Sequence, residues 1–157
     1  MRILYTGFKG NANSSCRLLD FFEGDKLLLT NSFGGLRRDI EGVAKEYGAA
    51  FMFGLDKNLK KGVRIEVCAQ KDGERLQTAL DFSSAAAAFN AEGLSCLVSA
   101  NPTNYLCNDA YFHMLEKLNG RALFFHIPPV RYMTEGMYKA AVRACGRIEK
   151  MLIMLEA

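Results

Sequence analysis

Ala49-Ala50-Phe51-Met52-Phe53-Gly54-Leu55 is the stretch that decides the fold. It carries no charge, has the length of a strand, and suits a parallel strand covered on both faces. Working upstream, Ile3 to Thr6 forms a short apolar strand ended by Gly7. Asn13-Ser14-Ser15 then offers caps to a short helix over Cys16 to Phe22, stopped at Gly24. Lys26 to Thr30 is a second strand. After Gly34-Gly35, the residues Leu36, Ile40, Val43, Ala44 and Tyr47 share one helical face, with Gly48 as the stop.

Downstream, Val63, Ile65 and Val67 alternate with Arg64, Glu66 and Cys68, which marks a strand with a polar second face. Residues 69–79 are polar and aperiodic and read as a loop. Asp81 to Asn90 is an Ala-rich helix closed at Gly93, and Leu94 to Val98 is another strand. Asn104 is placed to cap a helix running to Leu118. Leu123 to Ile127 is the last strand, stopped by Pro128-Pro129. Thr134 caps a long final helix with the stripe Met137, Ala141, Cys145, Ile148, Leu152 and Leu155. Alternation of strands and helices with short connections predicts the α/β class: a three-layer αβα sandwich with a mostly parallel twisted sheet, built as one domain over residues 1–157.

Composition narrows the function classes. The net charge is +3 and basic residues are interspersed with acids, so neither a nucleic-acid nor a membrane surface is indicated. Met1 leads straight into a strand, and no apolar run is long enough to cross a bilayer, which together point to a cytoplasmic location. The five cysteines (Cys16, Cys68, Cys96, Cys107, Cys145) are scattered, form no CxxC pair and have no zinc-like spacing with the two histidines. They read as mostly buried free thiols of a reducing compartment.

In sheets of this kind reactive groups gather beyond the carboxyl ends of the strands. Two segments qualify. Ser99 to Asn108 runs from a strand end into a helix. With Asn104 as the cap, Cys107 stands at the third helical position, where unpaired N–H groups and the helix dipole favour thiolate and can hold an oxyanion. Phe124-Phe125-His126-Ile127-Pro128 brings a histidine to the end of the next strand, where it can act as base for the thiol. Glu66, on the polar face of its strand, can orient the imidazole. Each residue also has a plainer reading: a packed cysteine, a core histidine and a solvated carboxylate. Gly7-Phe8-Lys9-Gly10 is a weak phosphate-loop signal. His113 and the other cysteines read as structural, and Met151 and Met154 as core or interface.

At these residues the chain resembles the pyrrolidone carboxyl peptidase (pyroglutamyl peptidase) family of cysteine peptidases, in a shortened form. The family's Ser-x-x-Ala-Gly-Thr-Tyr-x-Cys-Asn segment is matched at Ser99, Tyr105, Cys107 and Asn108, and its Gly-Phe-Ile-His-Val-Pro segment at Phe124-Phe125-His126-Ile127-Pro128. Its Ile-x-Ile/Leu-Glu-Arg-x-Ala strand is matched by Val63 to Ala69, after the turn Gly54-Leu55. Thr6-Gly7-Phe8 also matches, and Asn13-Ser14-Ser15 stands for the family's Asn-Pro-Ser. The resemblance implies removal of N-terminal pyroglutamate (5-oxoproline) from peptides. Cys107 would be nucleophile, His126 base and Glu66 its orienting group, with Phe8, Asn13 and Tyr105 at the substrate. It implies no cofactor and no metal, a small peptide substrate with a blocked N-terminus, and a homo-oligomer.

The chain departs from the pattern in places. Pro102-Thr103-Asn104 replaces Ala-Gly-Thr, Val67 replaces the arginine after the glutamate, and the Ala-Arg-Ile-Pro-Asp-Asn stretch is missing between Ala69 and Leu80. Of the two phenylalanines in the family's N-terminal Gly-Phe-x-x-Phe loop, only Phe8 is kept. Catalytic side chains retained beside trimmed recognition loops leave two alternatives: a peptidase-like enzyme for another N-acyl or lactam amide, or a non-catalytic binding or assembly module on the same fold.

Overall fold

The computed structural model describes residues 1–103 and 105–157. A six-stranded sheet is built from β1 (Ile3–Phe8), β2 (Asp25–Leu29), β3 (Ala49–Leu55), β4 (Val63–Glu66), β7 (Cys96–Ser99) and β8 (Ala122–Ile127) in the order β2-β1-β3-β8-β4-β7. Every neighbouring pair is parallel except β4 with β8. On one face lie α1 (Ser14–Leu19), α3 (Phe82–Ala91) and α5 (Glu135–Glu156), packed on Tyr5, Phe51, Phe53, Ile65, Leu123 and Phe125. On the other lie α2 (Phe33–Glu41) and α4 (Leu106–Lys117), packed on Leu4, Phe8, Ala50, Met52 and Phe124. The alternation of side chains along each strand creates these two cores, and the expected sandwich is the one observed.

The run Ala49 to Leu55 is β3, next to the centre of the sheet, and its residues 49–53 have no solvent exposure. Burial of its three large side chains, Phe51, Met52 and Phe53, contributes about 1.5–3 kcal/mol each before the entropy of ordering them is counted. The long last helix begins at the Thr134 cap, whose side chain accepts from the Met137 amide. Its stripe is buried at Ala141, Cys145, Ile148 and Leu152, but Leu155, at 75% exposure, lies beyond the sheet it covers.

Several local expectations are corrected. Residues 69–79 are not a loop: β5 (Cys68–Lys71) and β6 (Glu74–Gln77) form an antiparallel hairpin. Asp72 and Gly73 between them both have positive φ, at 51° and 78°, as the tight primed turn of a two-residue hairpin requires. β4 ends at Glu66 because Val67 turns out of the sheet, donating to Ser99 and accepting from the Thr78 amide. The second helix is capped by Ser32 and ends at Gly42; Val43 and Tyr47 reach the same core from outside it. α1 starts at Ser14, two residues before Cys16, because Asn13 is the cap and accepts from the Ser15 amide, and it ends at Leu19 rather than Phe22. α4 is capped by the Tyr105 backbone without a side-chain bond, and the expected cap Asn104 lies outside the described residues. All five cysteines are free, but only Cys68 and Cys145 are fully buried. Met154 is 77% exposed, whereas Met151 packs on the core.

Gly7 is accounted for by packing. A Cβ there would meet the Ser15 carbonyl of α1, so the glycine lets α1 lie directly on β1. Replacing Gly7 by Ala is therefore expected to lower stability by about 1–3 kcal/mol. Gly146→Ala, in the middle of α5 with open space around it, is expected to raise stability by about 0.5–1 kcal/mol. Urea unfolding midpoints of the two variants against the parent decide both.

Candidate active site

The antiparallel junction of β4 and β8 sets the site. Arg64 lies opposite His126 and Glu66 opposite Phe124, while on the other side of β8 Gly54 lies opposite His126. Paired residues in neighbouring strands point to the same face, so Gly54, Arg64, Glu66, Phe124 and His126 all face the layer of α2 and α4. Glu66 is therefore not on a solvated face. Its side chain is 11% exposed and that of His126 12%.

Glu66 Oε1 lies 2.9 Å from His126 Nδ1 and 2.8 Å from Arg64 Nε. Arg64 in turn reaches the carboxylate of Asp56, just past the end of β3, at 2.7 Å. Burial works to raise the Glu66 pKa, but the hydrogen bonds from His126 and Arg64 outweigh it and hold the carboxyl below its ordinary value. An ionised Glu66 can only accept, so His126 carries its proton on Nδ1 and presents Nε2 as the basic nitrogen. Among the described residues the His126 ring has Glu66 as its one hydrogen-bond partner.

Cys107 arrives from α4. Tyr105 is the cap, which makes Cys107 the second helical residue rather than the third, among the amides that precede the first intrahelical bond. Its sulfur lies over Gly54: a Cβ built on that glycine would sit 2.6 Å from Sγ and 2.7 Å from the Phe124 ring. The lack of a side chain at Gly54 is what lets the thiol come down beside the strand position of His126. Cys107, Glu66 and His126 line one small cavity together with Cys68, Pro102, Thr103, Asn108, Tyr111 and Phe124. Its volume, about 20 Å³, is enough for roughly one water molecule.

The expectation that the helix start would favour thiolate is overturned. Burial, with the nearby Glu66 and Asp56 carboxylates, pushes the Cys107 thiol up to about 12. Desolvation of the anion is the largest cause of this rise.

The surroundings hold this arrangement in place. Asn108 makes a two-way clamp on β5, accepting from the Gln70 amide at 3.0 Å and donating to the Gln70 carbonyl at 2.8 Å. Tyr111 donates to the Glu66 carbonyl at 2.9 Å. The Asn13 side chain is occupied by the Ser15 amide and hydroxyl, and Ser14 donates to the Pro128 carbonyl beyond His126. Phe8 is buried in the α2/α4 core and Tyr105 is 76% exposed. The structure thus brings Glu66, Cys107 and His126 to one cavity, and Phe8, Asn13 and Tyr105 are not among its lining residues. Sequence reasoning did not single out Arg64, Asp56 or Tyr111 as site residues, and it took Gly54 for part of a turn, where the structure has it in β3 under the thiol. The strand alternation that placed Glu66 also puts Arg64 on its face, so that signal was present. The other three depend on pairing across strands and layers. His113 packs beside Asp109 and Glu116 on α4, as a structural residue would.

A mostly parallel αβα sandwich with a cysteine at a helix start, a histidine at a strand end and a glutamate bonded to it defines the class of architecture. Solved structures with this fold include pyrrolidone carboxyl peptidases. A mutant of the enzyme from the hyperthermophile Pyrococcus furiosus superposes with a TM-score of 0.79 at 16% identity, over 100% of both chains. The enzyme from Thermus thermophilus gives 0.76 at 20% identity, over 92% of this chain and 98% of that one. Pyroglutamyl peptidase I from Bacillus amyloliquefaciens gives 0.75 at 16%, over 92% and 97%. At such identities the likeness is one of fold. No protein-family model and no curated protein sequence matches the chain. No helix among the described residues is long and apolar enough to cross a membrane.

Two outcomes follow from the position of the thiol. Iodoacetamide should modify Cys107 in the resting protein more slowly at pH 7–8 than it modifies an unfolded thiol, which titrates near ~8.5, with the rate still climbing above pH 10. As a separate consequence, because the folded-state pKa is raised, the protein's stability should fall as pH rises above the unfolded value, which urea unfolding midpoints across that range measure. Gly54→Ala should displace the sulfur and the Phe124 ring. Mass-spectrometric labelling rates at Cys107, compared with those at Cys16, measure both effects.

Proposed function

We propose that the chain is a cysteine peptidase of the pyroglutamyl peptidase kind, hydrolysing the amide bond that follows an N-terminal 5-oxoproline. The observation that carries the reading is the 2.9 Å contact between Glu66 and His126 in the same cavity as Cys107. The motif order Glu, Cys, His and the shared fold support it.

In the proposed reaction His126 Nε2 takes the Cys107 proton as the sulfur bonds to the substrate carbonyl carbon. The thiol starts neutral, so proton transfer and attack are coupled. The carbonyl oxygen gains the negative charge at the unpaired amides of the α4 N-terminus. His126 then returns the proton to the departing amine, the C–N bond breaks and a thioester remains. Water attacks that thioester with His126 again as base, releasing pyroglutamate and the free thiol. Glu66 keeps Nδ1 protonated and balances the imidazolium charge throughout. The cavity of about 20 Å³ is far below the several hundred Å³ that a small-molecule site occupies, so the Pro102-Thr103 wall must yield to admit a lactam ring. The same narrowness favours a second reading, in which an acyl group smaller than the lactam is the preferred substrate. Self-association as a homo-oligomer belongs to this proposal as well.

Cys107→Ala is expected to abolish release of the reporter from a pyroglutamyl amide, and His126→Ala to lower kcat/KM by about 10²–10⁴-fold. Turnover of acetyl or formyl amides without turnover of the pyroglutamyl amide would select the second reading. No turnover across the panel, with folded protein, would sink both.

A further inference from the structure

The charged chain behind the histidine goes beyond the Glu66–His126 pair. Arg64 donates through Nε to the same Glu66 oxygen that faces His126 Nδ1, at 2.8 Å, and through Nη1 to Asp56 at 2.7 Å. Both bonds are made by a side chain that is 26% exposed, in register opposite His126 itself. The chain therefore reads Asp56–Arg64–Glu66–His126 and crosses from the end of β3 through β4 to β8. Among the described residues, the other ionisable groups facing it are Cys107 and Tyr111 from α4 and Cys68 from β5, on the lining of the same cavity.

We infer that Arg64, charge-balanced by Asp56, is a positioning residue: it holds the Glu66 carboxylate against His126 and limits how strongly that carboxylate supports a protonated imidazole. This rests on the roles proposed above for Cys107 and His126. A carboxylate oxygen shared between two donors offers each of them less than it would offer one alone. Arg64 also adds a positive charge next to the position where imidazolium forms, and Asp56 cancels part of it. Asp56 lies close enough to His126 to feel its charge directly. The Cys107 thiol responds to the same groups: Glu66 and Asp56 oppose its ionisation, and Arg64 favours it.

Arg64 and Asp56 therefore act in opposite senses. Arg64→Gln removes the guanidinium charge beside His126 and its charged bond to Glu66, so the pH midpoint of the His126 ring resonances should rise. Asp56→Asn leaves Arg64 unbalanced, so the midpoint should fall. The His113 resonances, at the far end of α4, should not move in either variant. The pH dependence of Cys107 alkylation should shift the same way, upward in Arg64→Gln and downward in Asp56→Asn. Midpoints that stay put, or that move in the same direction in both variants, overturn the inference. If Arg64→Gln does not fold, Asp56→Asn decides alone, and an unmoved or raised midpoint overturns it. The ring titration needs no turnover. Opposite shifts in a protein that hydrolyses nothing would support this inference and refute the peptidase reading. Unmoved midpoints in an active enzyme would do the reverse.

Discussion

The rest of the site depends on one buried carboxylate. Glu66 is held as an anion in a nearly closed space, which is tolerable only where donors surround it. Two of those donors are His126 and Arg64, both converging on Oε1. Their convergence requires β4 to run antiparallel to β8, the one reversal in an otherwise parallel sheet. In that register Arg64 faces His126 and Glu66 faces Phe124, so three polar side chains share a face with the aromatic floor of the cavity. A slip of one residue in β4 would send Arg64 and Glu66 into the core formed by Phe51, Phe53 and Phe125, where no polar partner waits.

The layer above is tied to this junction by bonds that cross elements. Tyr111 of α4 is fully buried and spends its hydroxyl on the Glu66 carbonyl, so the helix that carries Cys107 is pinned to the strand that carries Glu66. Asn108, next to the thiol, imitates a backbone pair with Gln70 and holds the β5/β6 hairpin against the helix start. Lys71 of that hairpin and Arg37 of α2 converge on Asp109, one residue further along. The hairpin thus supports the start of α4.

Much of this was legible in the sequence, and the parts that were not have physical reasons. Strand runs such as Ala49 to Leu55 and Val63 to Glu66 announce themselves because their periodicity reflects burial on two faces or one. The motif residues Cys107, His126 and Glu66 stood out through their resemblance to a family, and the fold agrees with it. The hairpin was overlooked because its strands are short and polar, although Asp72-Gly73 is the dipeptide that a primed turn favours. The polar face of β4 looked solvated because alternation alone does not say what lies above a face; α4 and Tyr111 cover it. The state of the thiol was misjudged for a related reason. A helix start is visible in sequence, whereas the desolvation of the sulfur depends on Gly54 and Phe124 from other strands.

That last point changes how the proposed chemistry must run. Raising the thiol from an ordinary value of 9.0 to about 12 is worth on the order of 4 kcal/mol against a lone thiolate. A lone thiolate is therefore disfavoured at rest. The charges that oppose a lone thiolate act differently once the proton has moved to His126. Glu66 then faces an imidazolium bonded through Nδ1, and its negative charge stabilises the pair it previously disfavoured. The developing charge leaves the sulfur for a carbonyl oxygen, which can lie nearer the α4 amides than the sulfur does. In the proposed reaction, ionisation therefore accompanies attack on a bound carbonyl. The thiol lines a cavity that holds about one water, which leaves little room for a reagent beside the sulfur. Low reactivity at rest and proton transfer coupled to attack follow from the same burial.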